Sequence, residues 1–264
     1  MARAALLGRL TPTAAPGVRG RLTWRLGRVR ELIPETPHVS TLVFEVPEWP
    51  GHLAGQHVDV RLTAEDGYQA QRSYSIASPP EDGAVALTVE RLEEGEVSPY
   101  LAGEVRQGDQ LELRGPIGGY FVWQAGSEPQ RPVLLIGGGS GVVPLMAMIR
   151  HRHAAGAGTP MRLLYSSRSL EDVIYRAELD RLAGGGLAIV HTLTRSRPPG
   201  WTGYARRLDR EMLAEVAWPV TLGAAIFICG PTSFVETASA GLVELGYPPE
   251  SIRTERFGAT GGTT

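Results

Sequence analysis

The chain has 264 residues, which is enough for two small domains that each bury a hydrophobic core. Its 42% apolar and 20% charged residues are typical of a globular protein, and no apolar run approaches the ~20 residues that a membrane-spanning helix needs. A net charge of −2 gives no reason to expect a nucleic-acid partner, and one cysteine excludes an internal disulfide, a four-cysteine zinc site and a cysteine-ligated iron–sulfur cluster within this chain. We therefore expect a cytoplasmic protein that carries no metal of its own.

The N-terminal segment is rich in arginine: seven arginines precede the first acidic residue, Glu31. Such a segment is typical of a transit peptide or a docking arm, and also of a frayed tail that leads into a first strand. We interpret residues 1–20 as a flexible tail of this last kind and residues 259–264 as a second flexible tail.

The segment from Leu22 to about Trp123 contains short strand-like runs, separated by Gly and Pro at the spacing of turns. This pattern is typical of a small antiparallel barrel or sandwich. We predict an antiparallel β-barrel domain over residues 21–127, with strands that include 39–44, 57–62, 71–77, 85–89 and 110–113.

One of these runs carries residues suited to a phosphate and a ring. Arg72 and Tyr74 are two residues apart on a predicted strand, so their side chains share a face. Arg offers a planar, charged fork for a phosphate and Tyr a flat surface for a ring, whereas Ser75 faces the other side with a hydroxyl that can bond a heterocycle nitrogen. An ordinary strand with an exposed Arg is the alternative. Downstream, Gly95–Ser98 leads into a short predicted helix with Ser98 as N-cap, whose amides suit a pyrophosphate.

From Pro132 onward, predicted strands alternate with predicted helices. This alternation predicts a parallel sheet with helices on both faces, and we assign an α/β domain to residues 128–258. The strands are expected at 132–136, 161–166, 187–192 and 224–229, and the helices at about 142–153, 171–183, 208–216 and 233–245.

A glycine-rich turn links the first of these strands to the first helix: Gly137-Gly138-Gly139-Ser140-Gly141-Val142-Val143-Pro144. It departs from the common dinucleotide fingerprint because Pro144 stands where that fingerprint has its third glycine. Glycines let the backbone approach a pyrophosphate closely, and Pro is tolerated in the first turn of a helix. A chance glycine cluster in a loop is the alternative.

Together with two later motifs, these segments make the chain similar to the ferredoxin–NADP reductase-like flavoprotein reductases over roughly residues 21–258. The similarity rests on five motifs in the same order: Arg72-Ser73-Tyr74-Ser75, Gly95-Glu96-Val97-Ser98, Gly115-Pro116-Ile117-Gly118, Gly139 to Pro144 and Cys229-Gly230-Pro231. The resemblance implies an FAD-binding barrel domain followed by an NAD(P)-binding α/β domain.

The resemblance also implies roles for single residues. The predicted catalytic residues are Ser75, near flavin N5, Cys229, beside the nicotinamide, and Glu255, a C-terminal acid near the flavin. A buried small strand residue is the alternative for Cys229. The predicted flavin ligands are His57, Arg72, Ser73, Tyr74, Ser75, Gly95, Val97 and Ser98. The predicted NAD(P) ligands are Gly139, Ser140, Gly141, Pro144, Ser167, Arg168, Thr194, Arg195, Arg207, Cys229, Gly230 and Pro231.

We expect FAD rather than FMN, and NADPH rather than NADH. A 2′-phosphate calls for cations after the second and third strands of the nucleotide domain, whereas a bare ribose suits an acid there. Arg168 and Arg195 stand at those positions, although Glu171 and Asp172 follow Arg168 closely.

The resemblance implies hydride transfer from NADPH to FAD, followed by release of single electrons to a separate redox protein such as a ferredoxin. Two alternatives remain open. The protein could reduce a small acceptor such as free flavin, a quinone or a ferric chelate, or it could be a nucleotide-binding module without turnover. The sequence leaves the oligomeric state open.

Overall fold

The computed structural model describes residues 22–126 and 131–257. Both predicted flexible tails lie outside the described residues. The described chain contains an antiparallel six-stranded sheet followed by a parallel five-stranded sheet, which confirms the predicted fold class. The predicted domain boundary, between residues 127 and 128, lies outside the described residues.

The first sheet closes on itself. Its strands run in the order β4-β3-β6-β1-β2-β5, and the two edge strands then meet through an isolated bridge between Ile76 and Leu87. The Ala77 amide also donates to the Ala86 carbonyl at 2.7 Å. The bounds are β1 (Trp24–Thr36), β2 (Val39–Glu45), β3 (His57–Thr63), β4 (Gln69–Ser75), β5 (Val85–Glu90) and β6 (Gln110–Ile117), with helix α1 (Ser98–Gly103) between β5 and β6.

The second sheet has the order β11-β10-β7-β8-β9, all parallel. The strand order reverses between β7 and β10, which creates a crevice at the carboxyl ends of these two strands. The bounds are β7 (Val133–Gly138), α2 (Val142–Ala154), β8 (Met161–Ser167), α3 (Arg176–Leu182), β9 (Leu187–Leu193), α4 (Arg210–Val216), β10 (Ala225–Pro231), α5 (Thr232–Glu244) and β11 (Ile252–Phe257). Residues of α2 and α3 share one buried cluster with one face of the sheet, whereas residues of α4 and α5 share another with the opposite face.

The two domains pack tightly through the outer face of the barrel. Val43 and Ala86 of the barrel belong to the same buried cluster as Met146 of α2. Arg150 of α2 donates to the Ala77 carbonyl at 2.8 Å and pairs with Glu178 at 2.6 Å. A continuous interface of this kind fixes how the two sheets face each other.

Two predicted helix starts are wrong. Helix α3 begins at Arg176 rather than near 171, because Tyr175 has a left-handed backbone (φ 60°) that a right-handed helix cannot include. Ser98 is the first residue of α1 rather than its N-cap, since Val97 occupies the cap position. The Ser98 hydroxyl instead accepts a hydrogen bond from the Leu92 amide at 3.2 Å.

Within the described ranges, no helix combines the length and the apolar character that crossing a bilayer would require.

Candidate functional site

The crevice between β7 and β10 is built by glycines with different tasks. Gly139 has φ +55° and open space where a Cβ would lie, so the turn presents bare backbone there. At Gly141 a Cβ would lie 2.1 Å from the Cys229 carbonyl oxygen, so this glycine lets the turn pack against β10. The sequence predicts that Gly139 and Gly141 both admit a pyrophosphate. In the structure, the space beside Gly139 is open, whereas the space beside Gly141 is filled by protein backbone.

The same turn leads into the N-terminus of α2. Gly139–Gly141 forms a single 3₁₀ turn that continues directly into the 13-residue helix. Pro144 lies in the first turn of α2, where the missing N–H costs no hydrogen bond. The unpaired amides of a helix start carry a partial positive charge, which makes this end of the sheet a suitable place for an anion.

On the barrel side, the predicted Arg72 motif and the Gly95–Ser98 segment lie next to each other. Arg72 Nη2 lies 3.1 Å from Glu96 Oε2, and the Tyr68 hydroxyl donates to Glu96 Oε1 at 2.8 Å. The Arg72 side chain is 44% exposed and therefore keeps donors that face solvent. The structure thus brings together two segments that were predicted to hold the same pyrophosphate.

Tyr74 and Ser75 occupy the end of β4. Tyr74 packs partly buried against the barrel core, and this burial raises the pKa of its phenol to about 12. Its ring is therefore neutral at physiological pH. Ser75 is buried and is the register partner of His57 on β3, so the two residues lie opposite each other at the edge of the barrel.

The predicted catalytic residues converge where the barrel meets the second sheet. Glu255 Oε1 lies 3.9 Å from His57 Nδ1, and Cys229 Sγ lies 3.9 Å from Glu255 Oε2. His57 in turn pairs with Ser75. The strands β3, β4, β10 and β11 therefore bring together residues that are up to 198 positions apart in the sequence, from His57 to Glu255.

Burial controls the protonation of this cluster. It raises the pKa of Glu255 to about 7, and it lowers the pKa of His57, with Asp59 acting in the opposite direction. Burial first, and then the Glu255 carboxylate, raise the pKa of the Cys229 thiol. Near neutral pH the thiol is protonated, the imidazole is neutral and Glu255 divides between its acid and carboxylate forms. Glu255 can therefore accept or give up a proton at this junction.

The residues predicted to recognise a 2′-phosphate lie after β8 and β9. The Ser167 carbonyl accepts from the Thr194 amide at 3.0 Å and from its hydroxyl at 3.2 Å. The Arg195 amide donates to the Arg168 carbonyl at 2.9 Å, so these two arginines are neighbours. Arg207 is exposed and lies on the loop just before α4.

One further residue at this edge was missed by sequence reasoning. Glu90, the last residue of β5, accepts from the Ser140 hydroxyl at 2.8 Å and from Arg168 at 2.8 Å. It thus reaches from the barrel onto two predicted nucleotide ligands. No local pattern signals this role, because it arises only from the approach of the two domains.

Two family descriptions match the chain. The oxidoreductase FAD-binding domain matches residues 28–122, and the oxidoreductase NAD-binding domain matches residues 135–240. The chain is similar to ferredoxin–NADP reductase B of Sorangium cellulosum, with 37% identity over 236 residues that cover 85% of this chain and 93% of that protein.

It is also similar to the glycine betaine monooxygenase reductase subunit of Pseudomonas aeruginosa, with 33% identity over 248 residues and 90% of this chain covered. The chain spans 66% of the length of that relative. Among solved structures, the FAD/NAD-binding domain of nitric oxide dioxygenase from Vibrio cholerae superposes with a TM-score of 0.78 at 25% identity, covering 89% of this chain and 99% of that one.

Proposed function

Since the chain belongs to the ferredoxin–NADP reductase-like family of FAD- and NAD(P)-binding oxidoreductases, we propose that it takes hydride from NADPH onto FAD and passes single electrons to a separate redox protein. The observation that carries the proposal is the convergence of Ser75, His57, Cys229 and Glu255 between the two domains. A junction of this kind suits two cofactors whose reactive rings must meet.

The barrel residues fit a flavin dinucleotide. The exposed guanidinium of Arg72 and the amides around Val97 would hold the pyrophosphate, with Ser73 and Gly95 in the supporting backbone. Tyr74 would cover the flavin ring, and Ser75 would bond its N5 side. When bound, the flavin supplies the exchange between two-electron and one-electron chemistry, which no side chain of this protein can supply.

The α/β domain fits a nicotinamide nucleotide. Gly139 leaves room for a close approach of phosphate to backbone, and the N-terminus of α2 adds a partial positive charge. Cys229, Gly230 and Pro231 end β10 on the other side of the crevice, where the nicotinamide would lie beside Cys229. Glu255, with its pKa of about 7, would hold or release the proton that accompanies electron transfer.

Our proposal of NADPH rather than NADH rests on two neighbouring arginines. Arg195 is exposed and adjoins Arg168, so together they could hold a 2′-phosphate, with Ser167 and Thr194 fixing the backbone beneath them. Arg207 would add charge from the following loop. The Glu90 carboxylate weakens this argument for Arg168, which leaves Arg195 as the primary 2′-phosphate ligand.

The proposed acceptor is a separate electron carrier such as a ferredoxin. This chain covers most of a relative named ferredoxin–NADP reductase and has a single cysteine, so its own residues cannot ligate a four-cysteine cluster. A one-electron protein acceptor is the simplest recipient for electrons that leave a flavin one at a time.

The test is the visible spectrum of the purified protein before and after anaerobic addition of NADPH, with NADH in parallel. We expect a flavin spectrum that bleaches within seconds, and reoxidation by micromolar ferredoxin that is faster than reoxidation by an equal concentration of ferricyanide or quinone. A colourless protein that stays colourless after incubation with FAD and FMN would contradict the proposal. Faster reoxidation by the small acceptors would contradict the assigned partner alone.

A further inference from the structure

Both oxygens of the Glu90 carboxylate accept a hydrogen bond from the nucleotide domain. Its Oε2 accepts from the Ser140 hydroxyl at 2.8 Å, and its Oε1 accepts from Arg168 Nη2 at 2.8 Å. The two donors lie on different loops, one after β7 and one after β8. Glu90 itself belongs to the other domain, so these bonds cross the domain boundary.

The position of Glu90 is set by a regular strand. It ends β5 and pairs with Val39 of β2, and the next amide, that of Arg91, donates to the His38 carbonyl at 2.8 Å. The Glu90 side chain is 23% exposed, compared with 51% for Arg168. The barrel therefore holds the carboxylate in place, while Arg168 is the more exposed partner and has solvent-facing donors for another anion.

Glu90 occupies donors that suit a phosphate. Ser140 lies in the turn that starts α2, where anions are favoured, and Arg168 follows the second strand of the nucleotide sheet, where a cation suits a 2′-phosphate and an acid suits a free ribose hydroxyl. A carboxylate oxygen and a phosphate oxygen accept the same charge-assisted hydrogen bonds. An incoming 2′-phosphate and Glu90 would thus compete for Arg168.

We propose that Glu90 is a specificity-determining residue, an internal anion that competes with the 2′-phosphate of the nucleotide for Arg168 and so limits the preference for NADPH over NADH. The inference rests on the proposed function and concerns the same site. A nucleotide with a free ribose can leave the Glu90–Arg168 pair intact, whereas a 2′-phosphorylated nucleotide must break it to use Arg168. Removing the Glu90 charge should therefore selectively strengthen the binding of the 2′-phosphorylated nucleotide.

The test is calorimetric titration of flavin-loaded protein with two nucleotide fragments, 2′,5′-ADP and 5′-AMP. Glu90→Gln should bind 2′,5′-ADP roughly three- to tenfold more tightly than the wild type, and should change the affinity for 5′-AMP less than about twofold, since one partly exposed ion pair is removed. Glu93→Gln is the matched control. Glu93 lies on the loop that follows β5 and pairs with Arg91 at 3.5 Å, but its side chain is 75% exposed.

Arg168→Gln supplies the second arm. If Glu90 acts through Arg168, the gain from Glu90→Gln should vanish in the Arg168→Gln background. An equal gain for both fragments, no gain, or a gain that persists without Arg168 would each overturn the inference. The NADPH bleaching assay on the same preparations separates the two proposals. If the protein bleaches but the selective gain is absent, only the role of Glu90 is contradicted. If the protein neither binds the fragments nor bleaches, both the role of Glu90 and the proposed reductase function are contradicted.

Discussion

Cys229 and Glu255 are register partners on the parallel strands β10 and β11, with Cys229 Sγ 3.9 Å from Glu255 Oε2. The pairing places an acid and a thiol side by side at the carboxyl edge of the sheet, against His57 of the barrel. Since the thiol is protonated and His57 is neutral near pH 7, no adjacent cation of this cluster balances the Glu255 carboxylate. Burial therefore raises the pKa of Glu255 to about 7.

We expect this raised pKa to make the folded protein less stable as pH rises. The ordinary pKa of Glu255 is 4.5 and its folded value is about 7, so the native state binds the extra proton between these pH values and stability falls as pH rises through that window. Above pH 7 this shift lowers the free energy of unfolding by about 3 kcal/mol. Glu255→Gln should remove this penalty, so that the variant is more stable than the wild type at pH 8.5 and similar to it at pH 4.5.

Urea unfolding at the two pH values measures the difference. Glu250→Gln changes an exposed residue two positions before β11 and is the control for removing one nearby carboxylate. A stability gain that is the same for Glu255→Gln at both pH values would contradict the raised pKa.

Arg72→Ala should weaken the binding of FAD. The guanidinium lies beside the Gly95–Ser98 segment and keeps exposed donors, so its loss removes charge-assisted hydrogen bonds to a pyrophosphate. We expect roughly 10- to 100-fold weaker binding, from about 1.5–3 kcal/mol of lost interaction. Flavin fluorescence during titration of the apoprotein measures the change. Arg106→Ala, another exposed arginine of the barrel, should leave the affinity unaltered, and equal flavin occupancy in Arg72→Ala would remove the reason for this assignment.

Arg195→Ala should raise the KM for NADPH by roughly tenfold and leave the KM for NADH nearly unchanged, because only NADPH presents a 2′-phosphate to the guanidinium. The value of kcat should change little, since Arg195 does not lie among the residues at the domain junction. Arg197→Ala is the control, as Arg197 is an exposed arginine two positions along the same loop. Equal losses with both nucleotides would move the 2′-phosphate site elsewhere.

The sequence predicts those parts of the site that depend on local order. The segments Arg72–Ser75 and Gly139–Pro144 each combine a strand with residues suited to a phosphate, so they could be found without the fold, and the family and fold class they implied are confirmed. Glu90 could not be found in this way, because its partners belong to the other domain. The roles of the site residues stay predictions.

The start of α3 shows the same limit. Sequence pattern favours helix from residue 171, but Tyr175 is held in a left-handed conformation by contacts with distant residues. Its hydroxyl donates to Thr88 of the barrel, and its ring lies 4.7 Å from the Arg150 guanidinium. Tertiary contacts of this kind override local helix propensity, and no window of sequence contains them.

The two glycines of the nucleotide turn should differ sharply when each is changed to alanine. At Gly141 the added methyl would lie 2.1 Å from the Cys229 carbonyl oxygen, so the turn or β10 must move. At Gly139 the methyl would enter open space, and the cost is only that of a left-handed backbone at φ +55°. We expect Gly139→Ala to lower the free energy of unfolding by about 1–2 kcal/mol, and Gly141→Ala to lower it by more than about 3 kcal/mol.

Thermal and urea unfolding of the flavin-loaded variants measure both values, and nucleotide titration adds a second readout. Gly139→Ala narrows the space left for a phosphate, so it should weaken nucleotide binding more than its modest effect on stability suggests. Gly141→Ala should displace Cys229, and with it the contact to Glu255, so the pH dependence of stability attributed to Glu255 should change in that variant as well. A Gly141→Ala variant as stable as the wild type would contradict the close packing of this turn against β10. A Gly139→Ala variant that binds nucleotide with wild-type affinity would show that the open position at Gly139 does not face the phosphate.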